Sequence, residues 1–128
     1  MARKRSTTLT EAELRLMDVL WERGTATVAE ITAALPPPPI AYNSVLTTMR
    51  ILEQKGYVAH EEAGRAFVYR PLVAREAAAQ SAVGHVLSRF FDNSAGALAL
   101  RLIEKERPSG EELSRLKALI EQYEEGKR

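Results

Sequence analysis

One predicted helix carries a stripe of polar side chains that can pair with the edges of nucleic-acid bases. When residues are placed about 100° apart, Asn43, Thr47 and Arg50 fall on one face, and Ser44 lies beside them. An Asn amide can pair with adenine, an Arg guanidinium with guanine, and a Thr methyl group can contact thymine. The residues predicted to read bases are Tyr42, Asn43, Ser44, Thr47 and Arg50.

A solvent-exposed helix face shows the same kind of stripe, and the charge of the chain does not separate the two interpretations. The 128 residues contain 18 Lys and Arg against 17 Asp and Glu, so the net charge is +1. Residues 1–71 alone hold 9 basic and 8 acidic residues. If DNA is bound, either the positive charge is concentrated on one face, or nonspecific affinity is weak and sensitive to salt.

Two short helices precede the stripe, and each opens with the same sequence signal. Thr10 with Glu13, and Thr27 with Glu30, have the spacing of a capping box. In that motif the Thr oxygen and the Glu carboxylate each accept a backbone N–H. Gly24 predicts the end of the first helix, because glycine readily adopts the left-handed conformation of a helix cap.

The helix that carries the stripe follows a stiff connector. Four prolines at residues 36–39 cannot continue the second helix and predict an extended spacer. The third helix begins near Tyr42 and ends at Gly56. Apolar residues on the side opposite to the stripe are predicted to face the core. They are Val45, Met49 and Leu52.

The pattern then changes to that of a β-hairpin, with strands at residues 57–60 and 65–70, a tight turn at 61–64, and Pro71 at the end. A hairpin of two strands is not stable alone, so it must pack on the preceding helices. Three helices and a hairpin are typical of a winged helix-turn-helix, whose recognition helix enters the major groove. The residues predicted to contact phosphates are Arg65 on the wing, Lys55, and the basic arm Arg3, Lys4 and Arg5.

Residues 72–128 are predicted to be helical, in segments over residues 73–91, 98–106 and 111–123. Apolar side chains in the last segment are spaced 3, 4 and 3 residues apart, which is the pattern of a two-heptad seam. Such short helices cannot bury a wide apolar face within about 57 residues. A partner is therefore required, and a second copy of the chain is the simplest one. The predicted dimerisation residues are Val83, Leu87, Phe90, Leu98, Leu102, Leu113, Leu116, Ile120 and Tyr123.

The sequence thus predicts a mainly α-helical chain with a small β-hairpin: a winged helix-turn-helix over residues 1–71 and a helical dimerisation domain over residues 72–128. There is no Cys, and two His are too few for a metal site, so no metal or cofactor is expected. Ser81 and His85 are four residues apart but lack a recognisable third acid, so the chain is not predicted to be an enzyme. No apolar stretch is long enough for membrane insertion, and the expected location is the cytoplasm.

Several segments together resemble the BlaI/MecI penicillinase-repressor family of winged-helix regulators. They are LTEAE at residues 9–13, VLW at 19–21, AYNSVLTT at 41–48, KGY at 55–57 and GRAFVYRP at 64–71.

The resemblance implies a recognition helix over residues 42–55, a wing over residues 57–71 and a helical domain that forms a homodimer. It implies repression through a palindromic operator in double-stranded DNA. In antibiotic-responsive members of that family, a membrane sensor triggers proteolysis at an Asn-Phe bond. The matching pair here is Arg101-Leu102. Release of the operator is therefore expected either by proteolysis at this pair, through a similar membrane-sensor protease system, or by a small signal that acts on the dimer interface. Copper-responsive relatives carry a Cys-rich tail, which this chain does not have.

A rival hypothesis is a winged-helix module that binds proteins and has no sequence-specific affinity for DNA. Such a module would expose apolar residues on the third helix, where only Ile51 is apolar on the outer side. The polar stripe therefore favours DNA over a protein partner.

Overall fold

The computed structural model describes residues 8–126 as six helices and three strands. This part of the chain forms two compact units, one containing the described residues up to His85 and the other beginning at Val86. The elements are α1 (Glu11–Arg23), β1 (Ala26–Thr27), α2 (Val28–Ala34), α3 (Tyr42–Lys55), β2 (Val58–Ala63), β3 (Ala66–Pro71), α4 (Arg75–Phe90), α5 (Ala95–Glu106) and α6 (Gly110–Gly126).

Both predicted capping boxes are present. The Glu13 N–H donates to Oγ1 of Thr10 at 3.1 Å, and the Thr10 N–H donates to Oε1 of Glu13 at 2.9 Å. Thr27 and Glu30 make the same pair of bonds, again at 3.1 and 2.9 Å. Gly24 ends α1 with a φ of 88°, which a residue with a side chain rarely adopts.

Helix α3 forms where the sequence predicted it and presents the predicted apolar face to the core. Val45, Met49 and Leu52 are each 0% exposed. Gly56 ends the helix in the left-handed conformation with a φ of 90°, and its N–H donates to the Glu53 carbonyl at 3.0 Å. The opposite face of α3 is therefore left for a function other than packing.

The hairpin is longer than predicted, and its turn lies elsewhere. β2 and β3 pair antiparallel from Val58 opposite Pro71 to Ala63 opposite Ala66. The turn therefore consists of Gly64 and Arg65, and the prediction of a turn at residues 61–64 is wrong. Gly64 has a φ of 64°, and this left-handed conformation allows a two-residue turn that leaves Glu61 and Glu62 inside β2.

The sheet also contains a strand that the sequence did not predict. β1 pairs with β3, with Ala26 opposite Tyr69 and Thr27 opposite Val68, so the strand order is β1-β3-β2. Strand β1 thereby joins the base of the hairpin to the start of α2. The largest fully buried side chains, which lie in the first unit, are Tyr69, Leu16, Met17, Leu20, Ile31, Met49, Leu52, Val45 and Val58.

The segment after β3 is fastened to α1 by three contacts. Trp21 donates its indole N–H to the Val73 carbonyl at 2.8 Å. The guanidinium of Arg75 lies 4.7 Å from the centroid of the Trp21 ring and makes a 3.0 Å ion pair with Asp18. These contacts fix where α4 begins.

The second unit contains the end of α4 together with α5 and α6. Ser94 caps α5, since its Oγ accepts the Ala97 N–H at 3.1 Å. Ser109 and Glu112 exchange the two bonds of a capping box at the start of α6, at 3.0 and 3.1 Å. Among the described residues from Val86 to Gly126, none is buried. The helices are thus locally well specified, but they have no closed core of their own.

Candidate nucleic-acid interface

The polar stripe of α3 is exposed along its whole length. Asn43, Ser44, Thr47 and Arg50 are all exposed, and the Tyr42 side chain at the start of the helix is 51% exposed. Because the core holds the opposite face of α3, these side chains are free to meet a ligand from outside.

The wing brings a second cation to the same side of the domain. Arg65 occupies the turn of the hairpin and is exposed. It borders a cleft of about 290 Å³ that also contains Arg50 and Tyr42. A residue that sequence reasoning missed, Phe67, lines this cleft and is 39% exposed. The full lining is Thr27, Val28, Ala29, Tyr42, Leu46, Arg50, Arg65, Ala66 and Phe67.

A carboxylate of α3 contacts a histidine ring of the hairpin, and this ring lies against two aromatic rings of the neighbouring strand. Nδ1 of His60 lies 2.8 and 3.0 Å from the two carboxylate oxygens of Glu53. The His60 ring stacks on Phe67 at 4.3 Å and is tilted against Tyr69 at 5.4 Å. Burial raises the pKa of Tyr69, and the nearby Glu53 carboxylate raises it further, while the positive charge of Arg50 opposes them. Helix α3 and the hairpin are therefore in electrostatic contact.

Lys55, which was also predicted to contact phosphates, is not in the lining of the cleft that contains Arg50 and Arg65. The ammonium group of Lys55 lies 2.8 Å from the Glu13 carboxylate and 3.3 Å from the Thr8 carbonyl, and its side chain is 16% exposed. The charge of Lys55 is therefore already matched inside the protein. The basic arm lies outside the described residues; it comprises Arg3, Lys4 and Arg5.

The predicted dimerisation residues lie on α4, α5 and α6, and many of them meet solvent in the single chain. A cleft of about 480 Å³ runs between α5 and α6, with Leu102, Leu116 and Leu119 in its lining. Leu87, Leu98 and Leu116 are half-buried. The exposed members are Val83, Phe90, Leu102, Leu113, Ile120 and Tyr123.

The predicted cleavage pair lies inside a helix. Arg101 and Leu102 are both exposed in the middle of α5. The Arg101 guanidinium lies 5.9 Å from the ring centroid of Phe91, so it has a cation–π partner in the same unit.

Residues 8–126 contain neither a candidate metal site nor a membrane-spanning helix. No group of three or more His, Cys, Asp and Glu side chains in this range could hold a metal ion. No helix in this range is both long and apolar enough to cross a membrane.

Comparison with known proteins identifies the family of this chain. Residues 9–122 match the family described as penicillinase repressor. The chain belongs to this family. The penicillinase repressor of Bacillus licheniformis is 26% identical over 121 residues, which cover 94% of each chain. The resemblance seen in the sequence is thereby confirmed.

Solved structures of repressors share the fold of this penicillinase repressor family member. The DNA-binding domain of the repressor BlaI is 27% identical, with a TM-score of 0.51 over 57% of this chain and 90% of that one. A MarR variant from E. coli, solved in complex with operator DNA, is 13% identical, with a TM-score of 0.50 over 90% of this chain and 75% of that one. The predicted winged-helix fold is confirmed.

Membership in the penicillinase repressor family fixes the broad class of activity. The protein is a transcriptional repressor, and the prediction that it is not an enzyme is confirmed by this membership.

Proposed function

We propose that the protein represses transcription as a homodimer bound to a palindromic operator, with one α3 helix of each subunit in a major groove. The observation that carries this proposal is the shared cleft that places Arg50 of α3 and Arg65 of the wing on one side of the domain. A helix and a wing that offer cations to the same side can contact base edges and the flanking backbone together.

The two arginines take different tasks in this arrangement. Arg50 stands on the stripe with Asn43 and Thr47, whose side-chain types pair with base edges. Arg65 stands at the wing turn, where a guanidinium can bind a phosphate without reading sequence. Because Lys55 is paired with Glu13, we leave it out of the phosphate contacts.

The homodimer is supported by the second unit. Its apolar side chains lie on the end of α4, on α5 and on α6, and exposure of Ile120 and Tyr123 is 53% and 69% in the single chain. Water contact at such side chains costs about 25 cal/mol per Å² of apolar surface. A symmetric partner removes this cost on both subunits and places two recognition helices at half-sites about 10 bp apart, or a multiple of that spacing.

Release of the operator by proteolysis at Arg101-Leu102 rests on the family resemblance and on the exposure of both residues. A protease needs an extended segment, so this part of α5 must open first. Opening a helix that has no buried residue exposes little apolar surface. We therefore propose α5 as the place where a sensor-linked protease would act.

Fluorescence anisotropy with duplex DNA tests the proposal. Duplexes from the region upstream of the gene are compared with scrambled duplexes of equal composition, between about 50 and 200 mM salt. Arg50→Ala is expected to lower the preference for the operator by about 1–3 kcal/mol. Arg70→Ala is the matched control, since Arg70 is exposed on β3 and projects from the sheet face opposite to buried Tyr69.

The outcome separates DNA binding from the alternative activity. If no natural duplex binds better than its scrambled version at low salt, the repressor mechanism proposed here fails. That result would favour the winged-helix module that binds proteins.

A further inference from the structure

We propose that Glu53 and His60 form a latch that holds the wing against the recognition helix and so positions Arg65 for a phosphate. The latch is defined as the contact between the Glu53 carboxylate and the His60 ring. The inference rests on the proposed function, because it assigns positioning residues to the same DNA-binding surface.

The first part of the latch is a hydrogen bond between two elements. Glu53 lies in the last turn of α3, and His60 lies in β2. Both carboxylate oxygens are within 3.0 Å of Nδ1 of His60. With Glu53 as a carboxylate, which only accepts hydrogen bonds, this contact requires the His60 tautomer that carries a hydrogen on Nδ1. The side chains are 30% and 35% exposed, so water shields the bond only in part.

The second part of the latch is the stack that passes this restraint to β3. The His60 ring lies 4.3 Å from the Phe67 ring, with 29° between their planes. Phe67 is two residues from Arg65, which occupies the turn. A short covalent path therefore leads from the stacked ring to the guanidinium.

The latch matters because the outer half of the hairpin has little other support. Burial ends at Val58 on β2 and at Tyr69 on β3, and all residues from 61 to 67 are exposed. The extra strand β1 pairs only with Val68 and Tyr69. A two-stranded ribbon without packing is marginally stable, so the latch is the contact that restrains the segment carrying Arg65.

Without the latch, the outer part of the wing is not held in place, and Arg65 does not reach its phosphate. Loss of this contact lowers affinity for every sequence alike, by about twofold to tenfold, and makes the slope of log affinity against log salt shallower by about 0.9. Sequence preference is unchanged, since the bases are contacted by α3.

A double-mutant cycle on the full chain tests the latch. Anisotropy titrations over the same salt range compare the wild type with His60→Ala, Arg65→Ala and the double variant. We expect the slope of log affinity against log salt to be shallower by about 0.9 in each single variant. The slope of the double variant should be no shallower than that of Arg65→Ala alone. If His60→Ala keeps the wild-type slope, or if the losses add in the double variant, the latch is overturned.

Conservative variants separate positioning from a general loss of folding. Glu53→Gln keeps an oxygen that accepts the Nδ1 hydrogen, so it should show the wild-type salt slope. Glu53→Ala removes that oxygen, so it should show the shallower slope of His60→Ala. Glu61→Ala is the matched control on the same strand, because Glu61 is exposed and projects from the other sheet face. If His60→Ala does not fold, the Glu53 pair decides: equal slopes for Glu53→Gln and Glu53→Ala overturn the latch.

Failure of the latch and failure of the proposed function have different signatures. If the wild type shows no salt-dependent binding to any duplex, the proposed function fails and the latch fails with it. If the wild type binds and Arg65→Ala reduces the slope while His60→Ala does not, the latch alone fails.

Discussion

The Glu13 carboxylate lies 2.8 Å from the ammonium group of Lys55, which joins the first turn of α1 to the last turn of α3. The same oxygen accepts the N–H of Thr10, so it also closes the N-terminus of α1. The Glu13 side chain is 6% exposed, and a carboxylate so shielded depends on its partners. Lys55 is thereby assigned to the stability of the domain.

Replacing Lys55 is expected to change stability and not DNA contacts. Lys55→Ala leaves the buried Glu13 carboxylate without its cation, which should lower the free energy of unfolding by about 3 kcal/mol. Arg65→Ala should do the reverse, with unfolding unchanged and a shallower salt slope. Urea denaturation followed by circular dichroism and anisotropy titrations measure the two effects. A loss of slope in a folded Lys55→Ala protein would return Lys55 to the phosphate contacts.

The two acidic residues of β2 should affect DNA binding to different extents. Glu62 lies opposite Phe67, which lines the cleft that contains Arg50 and Arg65, whereas Glu61 lies opposite Val68 on the other face of the sheet. Removing a negative charge beside phosphates reduces repulsion, so Glu62→Gln should raise affinity for all duplexes at low salt. Glu61→Gln serves as the control and should have a smaller effect. Equal gains for the two variants would mean that the wing does not present this face to DNA.

Stability at alkaline pH should depend on Tyr69. Its pKa is raised above the ordinary value near 10, mainly by burial and then by Glu53. A group whose pKa is raised in the folded state contributes stability that is present below the unfolded pKa and lost as pH rises through the folded pKa. The free energy of unfolding should therefore begin to fall as the pH rises past about 10, the ordinary pKa of a tyrosine. In Tyr69→Phe, the free energy of unfolding measured by urea denaturation should fall less steeply with pH. Parallel curves of this free energy against pH for the two proteins would contradict the prediction.

The apolar seam of α6 should control the oligomeric state. Ile120→Glu places a charge in the seam and is expected to give a monomer, because an unpaired charge in an apolar interface costs several kcal/mol. Gln122→Glu introduces the same charge on the other side of the helix and should leave the dimer intact. Sedimentation velocity at micromolar concentration distinguishes the two species. A wild-type monomer under these conditions would remove the dimer from the proposed mechanism.

Local signals in the sequence predicted most of the elements. The capping boxes of α1 and α2 depend on residues three apart, and the core face of α3 follows from helical periodicity. The polar stripe was predictable for the same reason, since the core fixes one face of a helix and thereby exposes the other.

Contacts between residues far apart in the sequence account for the structural features that could not be predicted. Lys55 and Glu13 are 42 residues apart, so nothing local indicated that the Lys55 charge is neutralised. Strand β1 has two residues, which is too short to show a period, and its partner is at Val68 and Tyr69. The acidic pair Glu61 and Glu62 suggested a turn by composition, but the left-handed Gly64 closes the hairpin later.

The missing core of the second unit has a consequence for how much active protein a cell holds. From Val86 to Gly126, none of the described residues is buried. If the second unit folds only as the proposed dimer, its stability depends on protein concentration, and dilution destabilises it. Each halving of protein concentration lowers both the fraction of paired subunits and their melting temperature. The abundance of the chain, as well as its affinity for an operator, therefore sets how firmly a gene is silenced.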